Sequence, residues 1–236
     1  MPDAGSPVTL RAVNDPRTGL AAFSFAGHEI APVLHARPGS ILRVDYENAM
    51  STHSTEICVD GPCSNMTNLH FHGLHVSPNA PQDDVLSMMA SHGESLHYEV
   101  QIPADQPPGL YWYHTHPHGE SYQQSLDGMS GTLIVDGIER YAPEVRSMRQ
   151  QIFVLRNAVL KRNDTAAVAE LARTEASNAA CGSEPEGLRR LLTVNGILRP
   201  AVAIRPGEKH PKQGVFACRG RDDQGSCDSP ATWGVS

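Results

Sequence analysis

Short segments in which apolar and polar residues alternate recur through residues 6–137. Leu42, Val44 and Tyr46 alternate with Arg43 and Asp45; Leu96, Tyr98, Val100 and Ile102 alternate with His97, Glu99 and Gln101. Successive strand side chains point to opposite faces, so period two with one apolar side predicts half-buried β-strands. Pro38-Gly39, Asp60-Gly61, Pro108-Gly109 and Asp136-Gly137 punctuate the pattern with turn chemistry. Residues 6–137 are therefore expected to form an all-β domain, a sandwich or barrel of short antiparallel strands.

The pattern changes beyond Gly137. Residues 138–150 read as a linker, and Gln151–Arg162 as a new strand. Asp164–Glu186 is polar and alanine-rich; a long surface loop is expected there, with a short helix around Ala166–Arg173 as the alternative. Pro32–Gly39, PVLHARPG, and Pro200–Gly207, PAVAIRPG, share proline, arginine, proline and glycine at matching offsets. This faint repeat predicts that 151–208 begins a second domain of the same type and leaves it incomplete. From Lys209 the apolar pattern stops: no strand is expected to start in Glu208–Gly214, and 209–236 is expected not to order itself. A frameshift would account for such an end. The downstream nucleotide sequence, read in all frames, tests that.

Composition narrows the classes. Gly 20 and Pro 18 in 236 residues suit a turn-rich β protein, and the formal net charge of −7 argues against nucleic-acid or anionic-membrane binding through bulk charge. No run of about 18 apolar residues predicts a membrane span. Residues 1–30 show no signal-peptide pattern. Of five cysteines, Cys58 and Cys63 flank the step CVDGPC; a small disulfide loop and two reduced surface thiols are both open. Cys181, Cys218 and Cys227 lack metal-type spacing.

The candidate chemistry lies in two histidine pairs. His70 and His72 stand in TNLHFHGLHVSP at Thr67–Pro78, and His114 and His116 in GLYWYHTHPHGES at Gly109–Ser121. In a strand, residues i and i+2 share a face, their Cα atoms about 7 Å apart. If the stretches lie side by side, about 5 Å apart, four imidazoles converge on one patch. Neutral imidazole is the commonest protein ligand for copper- and zinc-type metals. Leu110, Trp112, His114 and His116 share a parity, so these histidines are expected to continue a buried apolar face, where each ring nitrogen needs a partner. A metal supplies one.

These segments carry a resemblance. HFHG at His70–Gly73, YWYHTHPHGES at Tyr111–Ser121, DGMSGTLIVDG at Asp127–Gly137 and LTVNGILRPAVAIRPGE at Leu192–Glu208 resemble the N-terminal part of a laccase-like multicopper oxidase, over roughly residues 8–208. The resemblance implies a cupredoxin-like Greek-key β-sandwich, one complete domain followed by an incomplete second one. It implies copper as the cofactor, with His70 on the type 2 copper and His72, His114 and His116 on the type 3 pair. It implies reduction of dioxygen to water with electrons from a donor, and an acidic residue after the first motif, Asp83 or Asp84, that delivers protons. It also implies a periplasmic or extracellular site, with which a Cys58–Cys63 loop agrees and the missing signal pattern does not.

The remaining candidates are weaker. His75 has the parity opposite to His70 and His72 and should point away. His118 lies past Pro117, where strand geometry lapses. His28, His35, His53, His92, His97 and His210 read as surface or satisfied core residues, and Met88-Met89 as core packing rather than a thioether site. Within the 236 residues there is no His-x-x-His-x-His and no His-Cys-His, the segments that complete the copper cluster and build a type 1 site in the resembled family. Two functional readings follow: half of an oxygen-reducing cluster that needs a complementary domain or chain, or a noncatalytic copper-binding module. A mononuclear zinc hydrolase is weaker still, since no HExxH signature appears.

Overall fold

A computed structural model describes residues 7–16, 18–28, 31–52, 57–58, 61–148, 151–161, 188–195, 197, 201 and 212–217. The expected loop at 164–186, its alternative helix, most of the second repeat copy and the final residues 218–236 lie outside them, as do His53 and His210.

Two four-stranded sheets pack face to face. The first runs β2 (Ala21–Ser24), β1 (Val8–Asn14), β4 (Ile41–Asn48), β8 (Ser95–Gln101). The second runs β3 (Leu34–Ala36), β10 (Ser130–Val135), β9 (Gly109–His114), β7 (His70–His72). A short hairpin, β5 (Ile57–Cys58) with β6 (Gly61–Pro62), lies before β7 in the chain. The alternation read from sequence is the burial pattern: Leu42, Val44 and Tyr46 are buried on β4, and Tyr98 and Val100 on β8. Both sheets are mixed rather than purely antiparallel, because β1 pairs β4 in parallel and β10 pairs β3 in parallel. Each parallel pair needs a long crossover, and crossovers between the two sheets supply it.

Aromatic rings fill the space between the sheets. Phe23 stacks on Tyr113 at 5.7 Å, and Phe71 meets the edge of Tyr98 at 5.7 Å. The three buried tyrosines each satisfy their hydroxyl: Tyr113 donates to Pro32 O, Tyr98 accepts Leu69 N–H, and Tyr46 pairs with Thr67 Oγ1. Gly131 lies directly opposite Tyr113 in the β9–β10 ladder, and the tyrosine ring lies over it. A Cβ there would fall 2.1 Å from the ring.

The shared parity of Leu110, Trp112 and His114 holds and His114 is buried, but their face is not the one between the two sheets, and His116 is exposed. The core takes Tyr113 and Phe71, with Tyr111 packed against them, so Leu110, Trp112 and His114 stand on the opposite, outer face. That face is not open: its β10 partners Ser130, Thr132 and Ile134 are buried as well, so this sheet is covered on both sides.

Beyond β10 the chain makes two 3₁₀ turns, Ile138–Arg140 and Pro143–Ser147, and enters a three-stranded sheet of β12 (Leu188–Val194), β11 (Gln151–Lys161) and β13 (Lys212–Ala217). The expected strand at Gln151 is β11. A strand does form after Glu208, contrary to expectation: β13 runs parallel to β11, pairing Gln151 with Lys212 through Arg156 with Ala217. Backbone pairing along an open strand edge needs no alternation of side chains. Arg156 reaches from β11 to the first sandwich, donating to Gly128 O at 2.9 Å and to Ser130 O.

Candidate metal centre

The site grows out of one ladder. β7 and β9 pair antiparallel with His70 opposite His114, Phe71 opposite Tyr113 and His72 opposite Trp112. The central pair faces the core, so the flanking residues share the outer face. His70 and His114 lie 5.3 Å apart between ring centres, His70 and His72 5.3 Å, and His72 and His114 5.6 Å. Trp112 fills the gap, stacked 4.8 Å from His72 and 4.2 Å from His114. Gly73 ends the strand at φ +85°, a left-handed conformation, with the Tyr111 ring 3.2 Å from where a Cβ would stand.

One ring nitrogen from each of His70, His72 and His114 lies within 4.8 Å of the other two. His116 stands past the end of β9, exposed, its ring 5.4 Å from His70 and 5.8 Å from His114. The structure thus brings all four rings onto one patch and gathers three of them most tightly.

Hydrogen bonds assign the free nitrogens. His114 Nδ1 lies 2.8 Å from Thr115 O; a carbonyl only accepts, so Nδ1 carries the proton and Nε2 the lone pair. His70 Nδ1 lies 2.9 Å from Asp83 Oδ2, which leaves Nε2 to offer a lone pair. His72 Nδ1 is 3.4 Å from His114 Nε2. Two nitrogens each about 2.0 Å from one tetrahedral metal ion lie about 3.3 Å apart, so this spacing fits a shared ion. Burial lowers His114 to about 3, held against its hydrogen bond to Thr115 O, and burial followed by the neighbouring His70 lowers His72. His114 is therefore neutral near pH 7 and offers a lone pair, the state that metal binding requires.

The two acidic candidates part company. Asp83 is largely buried and binds twice, to the His70 ring and, through Oδ1, to Phe71 N–H at 2.9 Å. Asp84 closes a turn of its own, accepting Leu86 N–H at 3.0 Å, Ser87 N–H at 2.9 Å and the Ser87 hydroxyl. That hydroxyl, first among its causes, holds the Asp84 carboxyl below its usual range. His75 is exposed, its backbone N–H on Gln106 Oε1, and His118 is exposed. His97 pairs with Asp45, His35 with Asp136, and Met88 packs in the core.

Three contributors escaped the sequence reading. Asn68, fully buried, accepts His116 N–H at 2.7 Å. Glu120 is a buried carboxylate that accepts Ser64 N–H at 2.5 Å, the Ser64 hydroxyl at 2.6 Å and Asn65 N–H at 3.1 Å. It starts the helix α1 (Ser121–Asp127), whose Gln124 reaches Met66 O at 2.7 Å and Thr67 Oγ1 at 3.0 Å. Together they fasten the segment after His116 to the segment before His70. Cys63 is buried and disulfide-bonded, which excludes a reduced thiol at that position; the Cys58 side chain lies outside the described residues. No helix among the described residues is long and apolar enough to cross a membrane.

Comparison with known proteins gives three kinds of likeness. A family model described as multicopper oxidase matches residues 11–140. A stretch of 73 residues is 38% identical to the iron transport multicopper oxidase FET3 of Kluyveromyces lactis, covering 30% of this chain and 11% of that protein. A stretch of 107 residues is 30% identical to Laccase-1 of Thanatephorus cucumeris, covering 44% of this chain and 16% of that one. Among solved structures, the multicopper oxidase mgLAC superposes with TM-score 0.54 at 20% identity, covering 90% of this chain and 61% of its own, a likeness of fold. The chain thus matches only a small part of the length of its curated relatives.

Proposed function

The chain belongs to the multicopper oxidase family, and from that premise we propose that residues 6–137 are a cupredoxin domain supplying His70, His72, His114 and His116 as half of the ligands of a trinuclear copper cluster. His70 would hold the type 2 copper and the other three the type 3 pair. Bound copper would supply one-electron redox chemistry, coupling oxidation of a donor to reduction of dioxygen to water.

The single observation carrying this reading is the register that sets His70 opposite His114, with three imidazole nitrogens within 4.8 Å. The chain's own groups perform three tasks in it. The β7–β9 ladder fixes the separation of the rings. Trp112 excludes water from the faces of His72 and His114. Asp83 holds the His70 proton on Nδ1, and as the carboxylate that meets the patch among the described residues it is the group placed to pass protons there. Asp84, engaged with its own turn, has no such reach.

The other half of the ligands and the type 1 site would come from a further domain, in the same polypeptide or a complementary one. Residues 151–208 would open the next cupredoxin domain, with 138–150 as linker and 209–236 as a tail foreign to it. The Cys63 disulfide favours an oxidising, periplasmic or extracellular setting. The second reading is a noncatalytic copper-binding module built on the same histidine patch.

Copper loading separates the readings. The purified chain is titrated with Cu(II), its stoichiometry is measured, and oxygen uptake is followed with a phenolic donor. Sustained oxygen uptake by the wild-type chain, with copper and uptake both lost in His114→Ala, supports the oxidase reading. Bound copper with no uptake even after a complementary type 1 domain is added supports the module, and copper binding that survives His70→Ala and His114→Ala together defeats both.

A further inference from the structure

His116 is the one histidine of the four that no strand holds. β9 ends at His114, where the ladder pairs with both His70 and Ser130. Two residues later the backbone has left the sheet, yet the His116 ring stays 5.4 Å from His70. Its backbone N–H is fixed by a side chain instead, the Asn68 carboxamide at 2.7 Å.

Asn68 is suited to hold something in place because it is itself held. It is fully buried. Thr67 before it exchanges two backbone hydrogen bonds with Ala90, at 3.0 and 2.9 Å, and Leu69 after it donates to the Tyr98 hydroxyl at 2.9 Å. The other end of the carboxamide, Nδ2, donates to Val85 O at 3.2 Å, two residues beyond Asp83. One side chain therefore joins the His116 segment to the loop whose Asp83 orients His70.

We propose that Asn68 is a positioning residue that sets His116 against His70 and so preorganises the metal centre. This rests on the copper-binding reading above. A buried amide whose two ends are both satisfied has one low-energy orientation, and losing either bond leaves a buried group unpaired. The Oδ1 bond fixes His116, and the Nδ2 bond fixes the spacing to the Asp83 loop.

Two variants test it. Asn68→Ala removes both bonds, whereas Asn68→Asp keeps an acceptor for His116 and loses the donor to Val85. Hydrogen exchange of the His116 amide in the metal-free protein reads the contact directly. The amide is expected to stay protected in wild type and Asn68→Asp, and to exchange at least about tenfold faster in Asn68→Ala, with Tyr113 unchanged as a fold control. Cu(II) affinity, measured by chelator competition, is expected to fall about tenfold in Asn68→Ala and to be largely restored in Asn68→Asp. In a His116→Ala background the Asn68→Ala substitution should add less than about twofold.

Unchanged His116 exchange in Asn68→Ala would overturn the proposal, as would an equal affinity loss with His116 already removed. A wild-type chain that takes up no copper would defeat the copper reading instead, and the exchange comparison would still decide the role of Asn68. Should Asn68→Ala fail to fold, Asn68→Asp decides: loss of His116 protection in that variant overturns the proposal.

Discussion

Asp83 binds the ring and the backbone of one strand at once: its carboxylate lies 2.9 Å from His70 Nδ1 and accepts the N–H of Phe71 at 2.9 Å. The same group that selects the His70 tautomer also fixes where the β7 backbone runs. Replacing Asp83 by Ala is expected to lower Cu(II) affinity about 10- to 100-fold, the usual cost of losing a partner of a metal-bound imidazole. Asp84→Ala should leave affinity within about twofold of wild type. Competition with a calibrated chelator measures both, and equal losses would contradict the division of roles between the two carboxylates.

Trp112 stacks on two of the histidines, and the sequence holds two tryptophans, Trp112 and Trp233. Cu(II) at the patch should therefore quench intrinsic fluorescence, and Trp112→Leu should abolish the quenching while leaving residual emission. A quench of similar depth in that variant would place the copper elsewhere.

Gly131 gives its space to the Tyr113 ring, which a Cβ would approach to 2.1 Å. Gly131→Ala is expected to destabilise the fold by about 3 kcal/mol, the upper end of overpacking costs, because the obstacle is a ring confined by Phe23 rather than a flexible chain end. Denaturant unfolding measures the change. Since Tyr113 precedes His114, the same variant should also weaken copper binding.

His114 makes the metal-free protein sensitive to acid. Its folded pKa is depressed to about 3 by burial, against 6.5 for the unfolded group. Between those values the unfolded state binds the extra proton, so stability rises with pH through this window. The His114 contribution is fully present above about pH 6.5 and is lost as pH falls toward 3, on the order of a few kcal/mol in all. His114→Gln should flatten that part of the stability profile. An NMR titration in which the His114 ring of the folded protein protonates near pH 6.5 would overturn the assignment.

Much of the fold was legible because alternation is a local signal. The faces of β4 and β8 follow directly from Leu42–Tyr46 and Leu96–Ile102. The histidine spacing was equally local: two residues apart in one strand means one shared face. Parity did not say which face. Trp112 and Tyr113 are both large and aromatic, and only the packing of Phe23 and Phe71 decides that Tyr113 goes inward. The parallel strand β13 escaped for the same reason, since an edge on β11 is visible only once the sheet exists.

The sequence alone determined that this is a strand-built chain carrying two His-x-His pairs, because period and spacing are properties of neighbouring residues. The tertiary structure decided that His70 stands opposite His114, that Asp83 rather than Asp84 reaches the ring, and that Asn68 holds His116. Those contacts join residues 13 to 48 positions apart in the chain. Their formation depends on how two sheets pack, which no local pattern encodes.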